Sequence, residues 1–311
     1  MRLEYNILWI DNNLDDYVGN GSVESINEFL REKGFNPQIQ LVYDEGEIDK
    51  YLNVEYDLII SDFNLNKENG DVVIYKLRAE KDISTEIFFY SARTNFMEDE
   101  GVKEKMAFME RINFHFSRDN LMEKIENVIE LTLKKLLNIN ATRGLITAET
   151  SDLDAIIEDI TINLQANLLK KSQEDLDKLI ADYIDDFLAK SPQRFMAKHQ
   201  EIGFANSMKF IEANRKWKMF RASLKEYNKK IQNPAITEFL QQNKTYFNDV
   251  IDIRNKFAHA RAEEKDGKLV LLGQYGKEDF EFDEAACISI RRNLIMHREN
   301  IESIKELITK T

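Results

Sequence analysis

The feature that most constrains this chain is a change of period near residue 119. Up to about residue 118, short apolar runs alternate with amphipathic stretches. NILWI, QIQLVY, DLIIS, EIFFYS and INFHF have the length and the β-branched or aromatic content of buried strands. SVESINEFLREKG, GEIDKYL, GDVVIYKLRAE and EGVKEKMAFMER lie between them with helical spacing. Strands that alternate with helices imply a parallel sheet covered on both faces, so this part reads as an α/β, doubly wound, five-stranded parallel sheet. The helix expected from Asn120 to about Leu137 closes this domain and continues as a connector. Beyond it nearly everything is long amphipathic helix, with proline confined to Pro192 and Pro234. KLVLLGQYGKEDFEFD, residues 268–283, breaks the pattern with two alternating runs about a Tyr-Gly turn and reads as a hairpin. A last helix spans about Asp283 to Ile308. The expected division is 1–125 for the sheet domain, 126–140 for the connecting helix and 141–311 for an all-α helical bundle with a small β-hairpin insert.

The 311 residues fit two domains, and 43% hydrophobic content is ordinary for a globular protein. No apolar run approaches the roughly 20 residues of a membrane span. MRLEYNILWIDNN lacks the basic stretch and apolar core of a signal peptide. The single cysteine, Cys287 in DEAACISI, reads as a small buried hydrophobe and fits a reducing cytoplasm. A net charge of −13 argues against a general polyanion binder but allows a local basic face.

In an open parallel sheet, ligands sit beyond the carboxyl ends of the strands. Here those ends carry Asp11-Asn12-Asn13, Asp62, Ser91 and Ser117-Arg118. Residues 5 to about 130 resemble a response-regulator receiver domain, most specifically in LIISDFNLNKENG, where an apolar strand ends in an aspartate with a glycine eight residues later. The resemblance implies that Asp62 is the phosphoacceptor and Ser91 the hydroxyl that senses the phosphoryl group. It also implies Mg2+ held by Asp11 and Asp62, and a histidine kinase or other signalling protein upstream. Two departures stand out. The usual acidic pair becomes Asp11 and Asn12, and the usual lysine position falls on Ser117, with Arg118 next to it. Three readings stay open: a phosphorylated domain, a pseudo-receiver that binds a partner or another ligand, and a scaffold with Asp62 as a relic.

In the second part, three of the four histidines follow an arginine by five positions: Arg194 with His199, Arg254 with His259 and Arg292 with His297. Spacing alone does not choose among them. His199 lies in a basic, aromatic-rich stretch and reads as surface or nucleic-acid contact, and His297 reads as part of a solvated terminal helix. His259 lies between Ala258 and Ala260, and small neighbours let a backbone or a phosphate approach. IRNKFAHA resembles the signature of HEPN domains, an arginine, a polar residue and then a histidine. That resemblance implies a helical bundle over about 141–311 and a metal-independent endoribonuclease, needing no cofactor for catalysis and acting as a homodimer. It also allows an inactive binding module. A histidine titrates near neutrality and can move the 2′-hydroxyl proton, and an arginine offers a permanent planar cation to phosphate oxygens. Arg254 and His259 differ by about 140° around one helix, so two copies about a two-fold axis converge them better than one. Asn255 and His259 share a face. The bland alternative makes Arg254 and His259 salt-bridge partners between helices.

Residues 190–230 carry eleven basic and three acidic side chains, a net +8 against −21 for the remainder. Arg215, Lys216, Trp217, Lys218 and Arg221, with Arg261 beyond, are the candidate RNA contacts. Basic groups follow phosphates and aromatic faces stack on bases. The alternatives are an amphipathic helix pair with core aromatics, or a face docked on the acidic sheet domain. The whole reads as a cytoplasmic signalling protein in which an atypical receiver regulates an endoribonuclease, with stress response or phage defence as its setting. The alternative is a non-enzymatic adaptor that dimerises and binds partners. An enzyme that modifies a protein with a nucleotide would need a phosphate-binding loop, and the chain has no glycine-rich one.

Overall fold

A computed structural model describes residues 2–67, 69–91, 110–117, 119–183, 192–259, 262–265, 268–272 and 278–310, without the side chains of residues 192–196, 198 and 259. The chain divides into two compact units, Met1–Thr142 and Arg143–Thr311.

In the first unit, strands β1 (Glu4–Ile10), β2 (Asn36–Val42), β3 (Leu58–Asp62), β4 (Glu86–Tyr90) and β5 (Ile112–His115) pair in parallel in the order β2-β1-β3-β4-β5. That order is a doubly wound sheet with a switch point between β1 and β3. Among the described residues its helices are α1 (Leu14–Gly19), α2 (Ser22–Glu32), α3 (Gly70–Tyr75, prolonged by a π turn at Lys76–Glu80) and α4 (Leu121–Leu136). Side chains alternate along each strand. Tyr5, Ile7, Trp9, Leu58, Ile60, Phe88 and Tyr90 therefore pack on one face with Leu14, Ile26, Leu30, Ile125 and Ile129. Leu8, Ile10, Ile59, Ile87 and Phe89 pack on the other with Ile48, Val73, Ile74 and Leu77. Each buried side chain of this size contributes about 1.5–3 kcal/mol, and a slip of one residue would turn both sets around, so the register is fixed.

GEIDKYL, read as helical, is a 3-10 helix (Glu45–Tyr51) whose start is capped by Asp44 accepting from Gly46 N at 2.9 Å. EGVKEKMAFMER lies almost wholly outside the described residues. The helix expected to run on as a connector instead keeps Ile125, Val128, Ile129 and Leu133 in the first unit's core and ends at Leu136. Asn138 then accepts from Ala141 N at 3.0 Å and starts the next helix.

α5 (Ile139–Ile162, prolonged by a π turn at Asn163–Leu168) starts at the end of the first unit, and the second unit contains the rest of it with α6 (Gln173–Tyr183), α7 (Pro192–Ser207), α8 (Ala213–Ile231), α9 (Pro234–Gln242), α10 (Ile253–His259) and α11 (Glu284–Thr309). A π turn at Phe247–Asp252 leads directly into α10. Caps follow the sequence: Asn233 accepts from Ala235 N at 2.9 Å with Pro234 at the first helical position, and Asp283 accepts from Ala286 N at 2.7 Å. The hairpin is present as β7 (Lys268–Leu271) and β8 (Phe280–Phe282), and residues 273–277 of its turn lie outside the described residues. A further strand, β6 (Ala262–Lys265), pairs antiparallel with β7 ahead of the hairpin read from the sequence. Its residues AEEK give no apolar alternation, because neither of its faces is buried. Phe257 packs edge-on against Phe280 at 6.0 Å and Phe282 at 5.6 Å, which ties α10 to this sheet. Cys287 is fully buried, as its apolar setting implied. Among the described residues no helix is long and apolar enough to cross a membrane.

Candidate functional site

Two places carry chemistry-bearing side chains, one in each unit. In the first, Ile10 pairs with Ser61, so Asp11 and Asp62 leave adjacent strands side by side at their carboxyl ends. Asp62 also pairs with Tyr90, which brings Ser91 to the same corner. Asp11, Asp62 and Ser91 are all buried. Asp62 Oδ1 accepts from Phe63 N at 2.7 Å. The loop after Asp62 folds back on the strand, with Gly70 N donating to Phe63 O at 2.8 Å. A β-carbon on Gly70 would lie 2.2 Å from Asp62 O, so only glycine fits there and the eight-residue spacing has a packing cause. Ser117 Oγ accepts from Asp119 N at 2.9 Å, which commits the hydroxyl at the end of β5 to its own turn. Arg118 lies outside the described residues.

The cation that the receiver resemblance implies can be tested against this donor set. Asp11 Oδ1 accepts from Asn13 N at 2.7 Å, and Asp11 Oδ2 accepts from the Tyr90 hydroxyl. Turned over, the Asn12 amide would donate to Asp11 Oδ1 at 3.2 Å, so residue 12 adds a donor where a second carboxylate would help a metal. Among the described residues no cluster of three or more metal-binding side chains occurs. Both Asp11 oxygens thus already accept from protein donors, and the expected seating of Mg2+ on Asp11 and Asp62 does not fit this arrangement.

In the second unit, Arg254 and Asn255 open α10, and the guanidinium turns onto its neighbour: Nε and Nη2 lie 3.4 and 3.2 Å from Asn255 Oδ1. Arg254 Nη1 is 3.8 Å from Asp154 Oδ2 on α5. Burial pushes the Asp154 carboxyl above its usual range, against the pull of Lys216 and Arg254. Lys216 is itself paired with Glu158 at 3.0 Å. The Tyr246 hydroxyl is buried close by, without a hydrogen-bond partner among the described residues. Burial raises its pKa, Asp154 adds to the rise and Arg254 opposes it. The arrangement presents a partly buried arginine, held by an amide and a carboxylate, at the start of a short helix. The His259 side chain and Arg261 lie outside the described residues.

No family model matches the chain. No curated protein matches it either. Solved structures do, and response regulators are among them. A two-component response regulator from Clostridium difficile is 20% identical, with 43% of this chain and 100% of that one covered and a TM-score of 0.33. A response regulator from Thermotoga maritima, solved in complex with Mg2+ and BeF, is 19% identical over 42% of this chain and 99% of that one, with a TM-score of 0.31. A chemotaxis protein of Vibrio cholerae is 17% identical, again over 42% and 99%, with a TM-score of 0.32. What assigns this unit to the doubly wound sheets is the strand order itself.

The two other Arg-x4-His copies are structural. His199, read from sequence as surface or RNA contact, is fully buried and lies 2.6 Å from Ser207 Oγ and 2.8 Å from Asp177 Oδ1. His297, read as part of a solvated helix, is also fully buried, at 2.7 Å from Asn243 Oδ1 and 3.0 Å from Asp249 Oδ2. Burial lowers its pKa, and the Asp249 bond opposes that. Neither pattern is visible in an apolar stripe, because a histidine satisfied by two polar neighbours can sit in a core.

The basic stretch needs a larger correction. Lys216 is buried in its ion pair with Glu158, and Trp217 is 4% exposed, stacked on Tyr246 at 4.0 Å. Neither offers a face to RNA. Arg221 donates to the carbonyls of Leu240 at 3.0 Å and Asn243 at 3.2 Å, completing the end of α9, and lies 5.5 Å from the Trp217 ring. Phe204, Phe220 and Tyr227 are core as well. Of the expected contacts on this helix, Lys218 is exposed and Arg215 half-buried.

Proposed function

We propose that this chain is a two-unit signalling protein in which the receiver-like unit governs metal-independent RNA cleavage by the helical unit. The observation that carries the reading is the partly buried Arg254 guanidinium, braced by Asn255 and Asp154 and five residues before His259. A cation fixed in this way can hold a phosphate and stabilise the charge that builds on a pentacoordinate phosphorane. His259 takes the proton from the 2′-hydroxyl, the 2′-oxygen attacks phosphorus, and the 5′-oxygen leaves with a proton from His259 of a second copy. A homodimer through the helical unit supplies both histidines, no metal enters, and the setting is cytoplasmic. Growth arrest by RNA cleavage would suit stress response or antiviral defence.

For the input, the receiver resemblance offers phosphorylation of Asp62 by a histidine kinase with Mg2+, or recognition of a partner protein. The protein donors already held by both Asp11 oxygens favour the partner. A non-enzymatic adaptor is the second reading of the whole chain, and the burial of Lys216 and Trp217, with Arg221 engaged by backbone carbonyls, speaks for it.

The deciding experiment is cleavage of single-stranded RNA in EDTA by the purified full chain, beside His259→Ala, Arg254→Lys and the surface control Lys178→Ala. A loss of about 100-fold or more in the first two with the control unaffected supports the nuclease. Equal cleavage by all four removes His259 and Arg254 from the chemistry. No cleavage by any, with RNA-independent dimerisation intact, favours the adaptor.

A further inference from the structure

Tyr90 is the last residue of β4, and its side chain lies in the first unit's core although it carries a hydroxyl. That hydroxyl is at the centre of a chain of buried polar groups. It accepts from Trp9 Nε1 at 3.1 Å and donates its own proton to Asp11 Oδ2. Tyr17 packs against both aromatic partners, 5.0 Å from the Trp9 ring and 6.5 Å from the Tyr90 ring. Trp9 is fully buried, and Tyr90 and Asp11 are each 2% exposed. The second oxygen of Asp11 takes the Asn13 backbone N–H at 2.7 Å.

Each oxygen of this carboxylate therefore already accepts from a donor held in place by packing. A buried carboxylate needs such partners, and a divalent ion is one way to supply them. Here the protein supplies them itself. Admitting an ion at Oδ2 would strip the phenol of its acceptor in a site sealed from water, and Asn12 adds no negative charge to attract the ion. We infer that the Tyr90 hydroxyl proton occupies the place at Asp11 that a divalent cation takes in a phosphoryl-accepting corner, and that this corner is closed to Mg2+. The inference is independent of what the helical unit does.

The test is thermal unfolding of the full chain in EDTA and in about 10 mM Mg2+, for wild type, Tyr90→Phe and the double variant Asp11→Asn/Tyr90→Phe. The wild-type transition stays in place. Tyr90→Phe, which leaves Asp11 without its donor, gains about 3 °C from Mg2+ at roughly ten times its Kd, and the double variant loses that response. A wild-type rise of the same size that Asp11→Asn abolishes overturns the inference. So does a Tyr90→Phe variant that folds and ignores Mg2+, since the tyrosine is then not what closes the site. If Tyr90→Phe folds in neither buffer, Mn2+ titration of the wild type by electron paramagnetic resonance decides. An undiminished free-ion signal supports the closed corner, and signal lost to the protein and restored by Asp11→Asn refutes it.

Discussion

Replacing Gly70 with alanine tests whether the loop after β3 is closed on Asp62 as tightly as the structure shows. The added methyl would lie 2.2 Å from Asp62 O and 2.8 Å from Phe89 Cε2. Neither obstacle is a flexible chain end. One is strand backbone, and the other belongs to a fully buried ring packed edge-on against Phe63 at 5.9 Å. Relief must come from the loop, which carries the Gly70 N–H away from Phe63 O and breaks a 2.8 Å bond. Overpacking of this kind costs about 1–3 kcal/mol and the hydrogen bond about 1 kcal/mol. Alanine returns up to about 1 kcal/mol by its helix preference at the start of α3. The net expectation is a loss of about 2 kcal/mol, or roughly 4–8 °C in Tm for a unit of this size. Trp9 and Trp217 are the only tryptophans, so a Trp217→Phe background leaves Trp9 as sole reporter of the first unit during urea unfolding. Gly19→Ala is the control, because nothing lies within 4 Å of its added methyl. If Gly70→Ala unfolds at the same urea concentration as its parent, the loop does not close on Asp62 and the packing account of the Asp-to-Gly spacing fails.

Two further outcomes follow from the second unit. Trp217→Ala should cost about 3–5 kcal/mol by urea unfolding, since it empties the space between Phe220, Phe239 and Tyr246; a cost under about 1 kcal/mol would return Trp217 to the surface and revive base stacking. Because burial holds His297 below the 6.5 of an unfolded chain, the unfolded state binds its proton more readily. Stability of the helical unit is therefore full above about pH 6.5 and falls as the pH drops toward the folded value, and urea midpoints that run parallel in wild type and His297→Gln would contradict this.

The sheet unit was legible because a buried parallel strand writes its period into the sequence. The apolar residues of NILWI and DLIIS alternate between two packed faces, with the polar Asn6, Asp57 and Ser61 at the ends of the two runs. Asp62 and Gly70 were singled out by the resemblance of LIISDFNLNKENG to receiver domains, and the structure supplies a packing reason for their spacing in one close approach. Tyr90 was not found. In EIFFY it is one more aromatic, and nothing in a linear reading shows that its hydroxyl points at Asp11. The helical unit was legible as helices but not as polar interiors. Lys216, His199 and His297 have side chains that usually face water, and each is buried because its partner, Glu158, Asp177 or Asp249, stands elsewhere in the chain. Pairings across 22 to 58 residues leave no local period to read.

The π turn at Phe247–Asp252 bears on how Tyr246 and Arg254 come to share an environment. They stand eight residues apart, which on an unbroken α-helix leaves them about 80° out of line. A π turn absorbs one residue without adding to the winding, so the pair behaves as if seven apart, about 20° from alignment. The chain thus counts to Arg254 through an extra residue, and its motif is phased by segment length as well as by composition. Deleting one residue from this turn would relax it to plain α-helix and leave the pair about 20° from alignment, whereas adding one would keep every residue of IRNKFAHA yet swing the arginine about 100° away from Tyr246 and Asp154.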